Sequence, residues 1–174
     1  SSRTCRPTRG STAIHAIAQL KCRGIETRLW IVGCERQEAT GYREDLEMLC
    51  GELGVWGRVP FLGYRKDIAA LLRAGDFFLL PSTSEDFPLT ILEAQESGAI
   101  AIAAPTAGIP EVIHGRTGYL VKPDHPYGYA DRMEMLLQRE DVAETIRRSA
   151  RQFAVDSHGV EHFARKSLGC TTRS

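Results

Sequence analysis

The sequence predicts an α/β fold: an open, mostly parallel sheet with helices on both faces. Three observations lead there. Short apolar runs alternate with stripes of helical spacing, the connections between them are short, and most elements end on a glycine or a proline. The 174 residues suffice for one domain with a real core and not for two ordinary ones. Apolar residues make up 43% and charged residues 25%, a balance that excludes a disordered tail. The 22 basic and 22 acidic residues cancel, so no net field selects a nucleic acid or an anionic membrane.

The elements follow in order. Ile14, Ile17, Ala18 and Leu20 recur at helical spacing, with Ser11/Thr12 as the expected cap and Gly24 as the stop. Leu29 to Gly33 is a short apolar run and predicts a buried parallel strand. Tyr42, Leu46, Leu49, Cys50 and Leu53 form the next helical stripe, ended by Gly54. Val59 to Gly63 predicts a strand in spite of Pro60. Ile68, Leu71 and Leu72 make a short helix before Gly75, and Phe77 to Leu80 a strand stopped by Pro81. A helix over Leu89–Ser97 closes at Gly98, and Ala99 to Ala103 is a strand. Pro110 to Ile113 predicts one helical turn and Tyr119 to Val121 a strand; from Pro126 onward the chain is helical.

One feature departs from this scheme. The alternation opens on a helix, whereas a doubly wound sheet opens on a strand that lies at its centre. Residues 1–10 hold Arg3, Arg6, Pro7, Arg9 and Gly10 and no apolar run. The expectation is that residues 1–174 form one domain whose first strand lies outside this sequence or comes from another chain.

The five cysteines lie at no metal-ligand spacing, and their odd number fits no closed disulfide framework. They are expected to be reduced thiols of a cytoplasmic protein, with Cys50 in the core. No apolar run reaches the roughly 18 residues of a membrane span, and no signal peptide is evident. The histidines, His15, His114, His125, His158 and His162, share no ligand pattern. His158 and His162 stand four apart, but no third ligand suggests itself, and no metal is expected.

The chemistry concentrates in Ser84-Glu85-Asp86-Phe87-Pro88-Leu89-Thr90-Ile91-Leu92-Glu93. Glu85 follows a strand and precedes a helix, which places it where ligands of such sheets bind. A helix starting near Pro88 aims its free amides and positive end at the same place, an anion site suited to a diphosphate. Glu93 lies four residues beyond Leu89 on the same helix face, and its carboxylate can accept both hydroxyls of a ribose diol. Two carboxylates flanking a phosphate site describe a holder for a sugar nucleotide. Taken singly, Glu85 is also an ordinary acid at a helix start, Glu93 a solvated helix residue, and Glu111 a helix-turn residue rather than a ligand.

This segment resembles the Glu-x7-Glu motif of the retaining GT-B glycosyltransferases. The resemblance runs in order from Ile31-Val32-Gly33 through Phe61-Leu62-Gly63, Leu80-Pro81-Ser82 and the motif to Gly108-Ile109-Pro110-Glu111 and Gly118–Pro123. It implies a Rossmann-like C-terminal, donor-binding domain and transfer of a sugar from a nucleoside diphosphate with retention of configuration. By the same resemblance Glu85 contacts the transferred sugar as the catalytic carboxylate, and Glu93 binds the ribose. Backbone around Phe87, Pro88 and Leu89 faces the diphosphate, Arg3 and Arg9 supply the basic pair, and Tyr64 and Arg65 border the base. The family needs no cofactor and is usually metal-independent. Its partner is an N-terminal acceptor-binding domain, in the same or another chain, through which peripheral membrane association can arise. Here Arg9 replaces the usual Lys, Ala107 the first of two glycines, Ala99-Ile100-Ala101 a more usual Gly/x-Pro-Val, and Gln95 a Met. These departures leave two alternatives: a non-catalytic, degenerate module acting in an assembly, and a GT-B sugar-nucleotide epimerase. A dinucleotide oxidoreductase ranks last, because Gly33-Cys34-Glu35-Arg36 lacks Gly-x-Gly-x-x-Gly.

Overall fold

The computed structural model describes residues 9–33, 41–81, 89–106 and 108–158, with backbone alone at Arg9 and His158. The elements are α1 (Arg9–Cys22), β1 (Ile31–Val32), α2 (Tyr42–Glu52), β2 (Phe61–Gly63), α3 (Ile68–Ala74), β3 (Phe77–Leu80), α4 (Leu89–Ser97), β4 (Ile100–Ala103), α5 (Ile109–Val112), β5 (Gly118–Leu120), α6 (Pro126–Gln138) and α7 (Glu140–His158). The order of helices and strands is the one expected, and all pairings are parallel.

Three local differences have physical reasons. Helix α1 reaches back to Arg9, so Ser11 and Thr12 sit buried inside its first turn instead of capping it. The Gly10 N–H is satisfied from a distance, donating to the Tyr42 hydroxyl at 3.1 Å. Strand β1 is only two residues long because its register shifts between Ile31 and Val32, although the Leu29 N–H still donates to the Arg58 carbonyl at 2.8 Å. Strand β2 starts at Phe61: Pro60 lends its carbonyl to the Ile31 N–H at 3.1 Å but has no N–H to extend the ladder.

Alternate residues of β3 and β4 face opposite helix layers. Leu29, Ile31, Phe61, Phe77, Leu79, Ile100 and Ile102 pack with α1, α2 and α6. Phe78, Leu80, Ala101 and Ala103 pack with α4, α5 and α7. One layer of strands thus lies between two layers of helices, the expected α/β architecture. Cys50 is fully buried in the first of these clusters. Among the described residues the strands form two ladders, β1–β2 and β3–β4–β5. Inside the larger ladder Gly118 is obligatory: its φ of 151° is a glycine conformation, and a Cβ there would strike the Ala101 carbonyl oxygen of β4.

Candidate functional site

The strands end at Val32, Gly63, Leu80 and Ala103, running parallel within each ladder, and in such sheets ligands bind at the segments that follow the strand ends. Gly63, at φ 64°, turns the chain out of β2 into the Tyr64–Asp67 loop. There Tyr64 is 70% exposed. Arg65 grips Asp67 in a two-pronged ion pair, Nε–Oδ1 at 2.8 Å and Nη2–Oδ2 at 2.6 Å. The hydrogen bonds of that pair raise the guanidinium pKa and hold the Asp67 carboxyl below the usual aspartate range. Asp67 stands at the cap position of α3 without bonding its amides, because its carboxylate is turned toward Arg65.

Helix α4 buries Ile91, Leu92, Ala94 and Gln95 against the sheet. Its outward face carries Leu89, 45% exposed, and one turn later the exposed Glu93. The two therefore share a face, as their spacing requires. Glu93, together with Arg73 and Arg151, lines an open groove of about 570 Å³ between α3, α4 and α7. Ile68 and Ala69 of the first α3 turn line the same groove. Glu93 is thus brought to the element that directly follows the Tyr64–Asp67 loop.

Beyond β4, the α5 turn is tied down by a residue that sequence reasoning missed. The Gln95 side-chain amide donates to the carbonyls of Val112 at 3.2 Å and Thr117 at 3.0 Å. The Thr117 hydroxyl donates to the same Val112 carbonyl at 2.9 Å. The one signal for this strut was a glutamine on the apolar face of α4. Three histidines have structural partners. His15 Nδ1 donates to the Ser11 carbonyl, His125 Nδ1 accepts from the Gly128 N–H at the start of α6, and the His114 ring meets Phe153 edge-on.

Of the expected site residues, Glu93, Leu89, Tyr64 and Arg65 are therefore placed, all at the surface. Arg3, Glu85, Phe87, Pro88 and the side chain of Arg9 lie outside the described residues, as do Ala107, His162 and the side chain of His158. Among the described residues, no three His, Cys, Asp or Glu side chains are grouped to hold a metal ion. No described helix is long and apolar enough to cross a membrane.

The family model for glycosyl transferases group 1 matches residues 7–139. The chain is 36% identical over 129 residues to N-acetyl-alpha-D-glucosaminyl L-malate synthase of Bacillus anthracis, covering 74% of this chain and 32% of that protein. It thus spans about a third of the length of the curated relatives it matches. The crystal structure of HepE from Anabaena, in complex with UDP, superimposes with a TM-score of 0.85 and 27% identity, over 97% of this chain and 46% of that one. The C-terminal domain of the group 1 glycosyl transferase LpcC from Francisella tularensis superimposes with a TM-score of 0.78 and 26% identity, over 88% of this chain and 82% of that domain.

Proposed function

This chain belongs to the glycosyl transferases group 1, and from that premise we propose that it is the donor-binding half of a retaining GT-B hexosyltransferase, taking a nucleoside-diphosphate sugar. The single observation that carries this reading is the position of Glu93. It stands on the open face of α4, four residues after the helix's first described residue. It shares a groove with Ile68 and Ala69 of the first turn of α3, the helix that follows Tyr64 and Arg65 in the chain. That UDP is bound by HepE, at 27% identity, supports a nucleoside diphosphate as the ligand class.

In this reading Glu93 accepts the ribose hydroxyls, and Tyr64 and Arg65 border the base. Arg3, Arg9 and the backbone at Phe87, Pro88 and Leu89 hold the diphosphate. Glu85 faces the sugar. Reaction breaks the bond between the anomeric carbon and the diphosphate oxygen and forms one to an acceptor hydroxyl oxygen, whose proton leaves with the products. Negative charge grows on the departing diphosphate and positive charge on the sugar. The basic groups and the α4 amides answer the first, and the Glu85 carboxylate the second. The acceptor is held by an N-terminal domain, and the LpcC match to a C-terminal domain supports that division.

The test separates the two carboxylates in the chain joined to its acceptor-binding half. Glu93→Ala weakens binding of UDP and of the sugar donor alike, by about 1–3 kcal/mol. Glu85→Gln leaves UDP affinity intact and slows turnover by about ten- to a thousandfold, because its charge acts in the transition state. Loss of UDP affinity in Glu85→Gln with turnover preserved would overturn the assignment.

A further inference from the structure

The Tyr64–Asp67 loop fixes the orientation of one guanidinium. Arg65 donates Nε–H to Oδ1 of Asp67 and one Nη2–H to Oδ2, so the plane of the carboxylate sets the plane of the guanidinium. Asp67 is free to do this. It stands at the cap position of α3, yet its side chain accepts from none of the helix amides. The pair is exposed on both sides, so folding stability gives no reason for its geometry. An arginine already held in one rotamer, however, loses less freedom when it binds a ligand.

The bonds to Asp67 use one side of the guanidinium. The second Nη2–H and both Nη1–H groups have no partner among the described residues, and the Arg65 side chain is 41% exposed. By the covalent geometry of the group, one N–H on each Nη points forward, parallel to its neighbour and away from Asp67. This fork can donate and cannot accept. It makes two good hydrogen bonds only with two acceptors that lie side by side.

The nucleobases differ in this property. Guanine has adjacent acceptors at O6 and N7, the pair that arginine forks read most often, and cytosine has them at O2 and N3. In uracil each oxygen stands beside the N3–H donor, and in adenine both N1 and N7 stand beside the amino group. These two bases offer the fork one acceptor and set a donor against its other arm. Tyr64 precedes Arg65 and is 70% exposed. Its ring stacks with any base, so it adds affinity without choosing among them.

We propose that Arg65, held by Asp67, selects the base of the donor, favouring a base with two adjacent hydrogen-bond acceptors, guanine or cytosine, over uracil and adenine. This rests on the reading that the Tyr64–Asp67 loop borders the base and Glu93 the ribose. Uracil still takes one bond from the fork, so UDP binds, but less tightly. Asp67 touches no base; it is a positioning residue that acts through Arg65.

Calorimetric titration of the 174-residue chain with GDP, CDP, UDP and ADP tests the proposal. GDP or CDP should bind about tenfold more tightly than UDP and ADP. A preference for GDP assigns the O6/N7 edge and one for CDP the O2/N3 edge. In the first case 7-deaza-GDP, which keeps O6 and lacks N7, should fall to the level of UDP. Arg65→Lys keeps the charge and loses the fork, and should bring the four affinities within about threefold of one another. Asp67→Ala frees the guanidinium and should narrow the preference in the same direction. Four equal affinities in the parent chain, tighter binding of UDP or ADP, or a preference that survives Arg65→Lys would overturn the proposal. Glu93→Ala separates this from failure of the site itself, since it should weaken every nucleoside diphosphate alike. If it does so in a chain without base preference, the base assignment alone fails. If no nucleoside diphosphate binds, the donor site fails and the base assignment with it.

Discussion

The Gln95 amide nitrogen donates to the Thr117 carbonyl at 3.0 Å, joining the buried face of α4 to the start of β5. The same nitrogen holds the Val112 carbonyl at the end of α5, so one side chain sets both ends of the turn that follows β4. Gln95→Leu fills similar volume but leaves the Thr117 carbonyl buried without this donor. The expected cost is about 1–3 kcal/mol. Melting should fall by roughly 2–4 °C for each kcal/mol in a domain of this size. A variant that melts as the parent does would show that the strut is dispensable.

Gly118 and Gly98 separate backbone strain from steric conflict. Both have positive φ, 151° and 92°, but a Cβ meets the Ala101 carbonyl at Gly118 and nothing within 4 Å at Gly98. Gly98→Ala should cost about 1–2 kcal/mol, the left-handed penalty alone. Gly118→Ala should cost about 2–4 kcal/mol, because β5 must also move off β4. Urea unfolding of the two variants gives the comparison directly; equal costs would contradict the close approach of β5 to β4.

Tyr129 predicts a response to alkali. Its ring is fully buried, its hydroxyl donates to the Val121 carbonyl at 3.2 Å, and burial raises its pKa well above the ordinary tyrosine range. A group whose pKa is raised by folding stabilises fully below its unfolded value, here 10.0, and the contribution is lost as pH rises beyond it. Stability of the native chain should therefore drop between about pH 9 and 11 by more than that of Tyr129→Phe. Denaturation midpoints at the two pH values decide it, and parallel curves for both proteins would refute it.

The ion pair of Arg65 with Asp67 is exposed on both sides, and exposed pairs contribute little to folding. Arg65→Ala should leave the melting temperature unchanged. If Arg65 borders the base, the same variant should weaken UDP binding severalfold. Unchanged melting with unchanged affinity would remove Arg65 from the proposed site.

Local patterns made most of the fold legible. The helical stripes of α1, α2 and α4, and the glycines that end them, depend on neighbours a few residues apart, and all appear where expected. The shared face of Leu89 and Glu93 follows from a spacing of four in the same way. What stayed hidden depends on distant partners. The amide of Gly10 is satisfied by Tyr42, 32 residues away, so the local cap expected at Ser11/Thr12 is not used. Gln95 finds its acceptors 17 and 22 residues on, where no periodicity points. The orientation of Arg65 toward Asp67 is a rotamer choice that composition does not determine.

The most direct test of the donor-binding reading is a titration of the chain with UDP, GDP and ADP, followed residue by residue by NMR without divalent cations. Saturable binding of at least one nucleoside diphosphate is expected. Shifts should concentrate at Gly63–Asp67 and at Leu89–Glu93, and Glu93→Ala should weaken binding about ten- to a hundredfold, the equivalent of the 1–3 kcal/mol given above. No saturable binding, or shifts confined to the opposite ends of the strands, would contradict that reading.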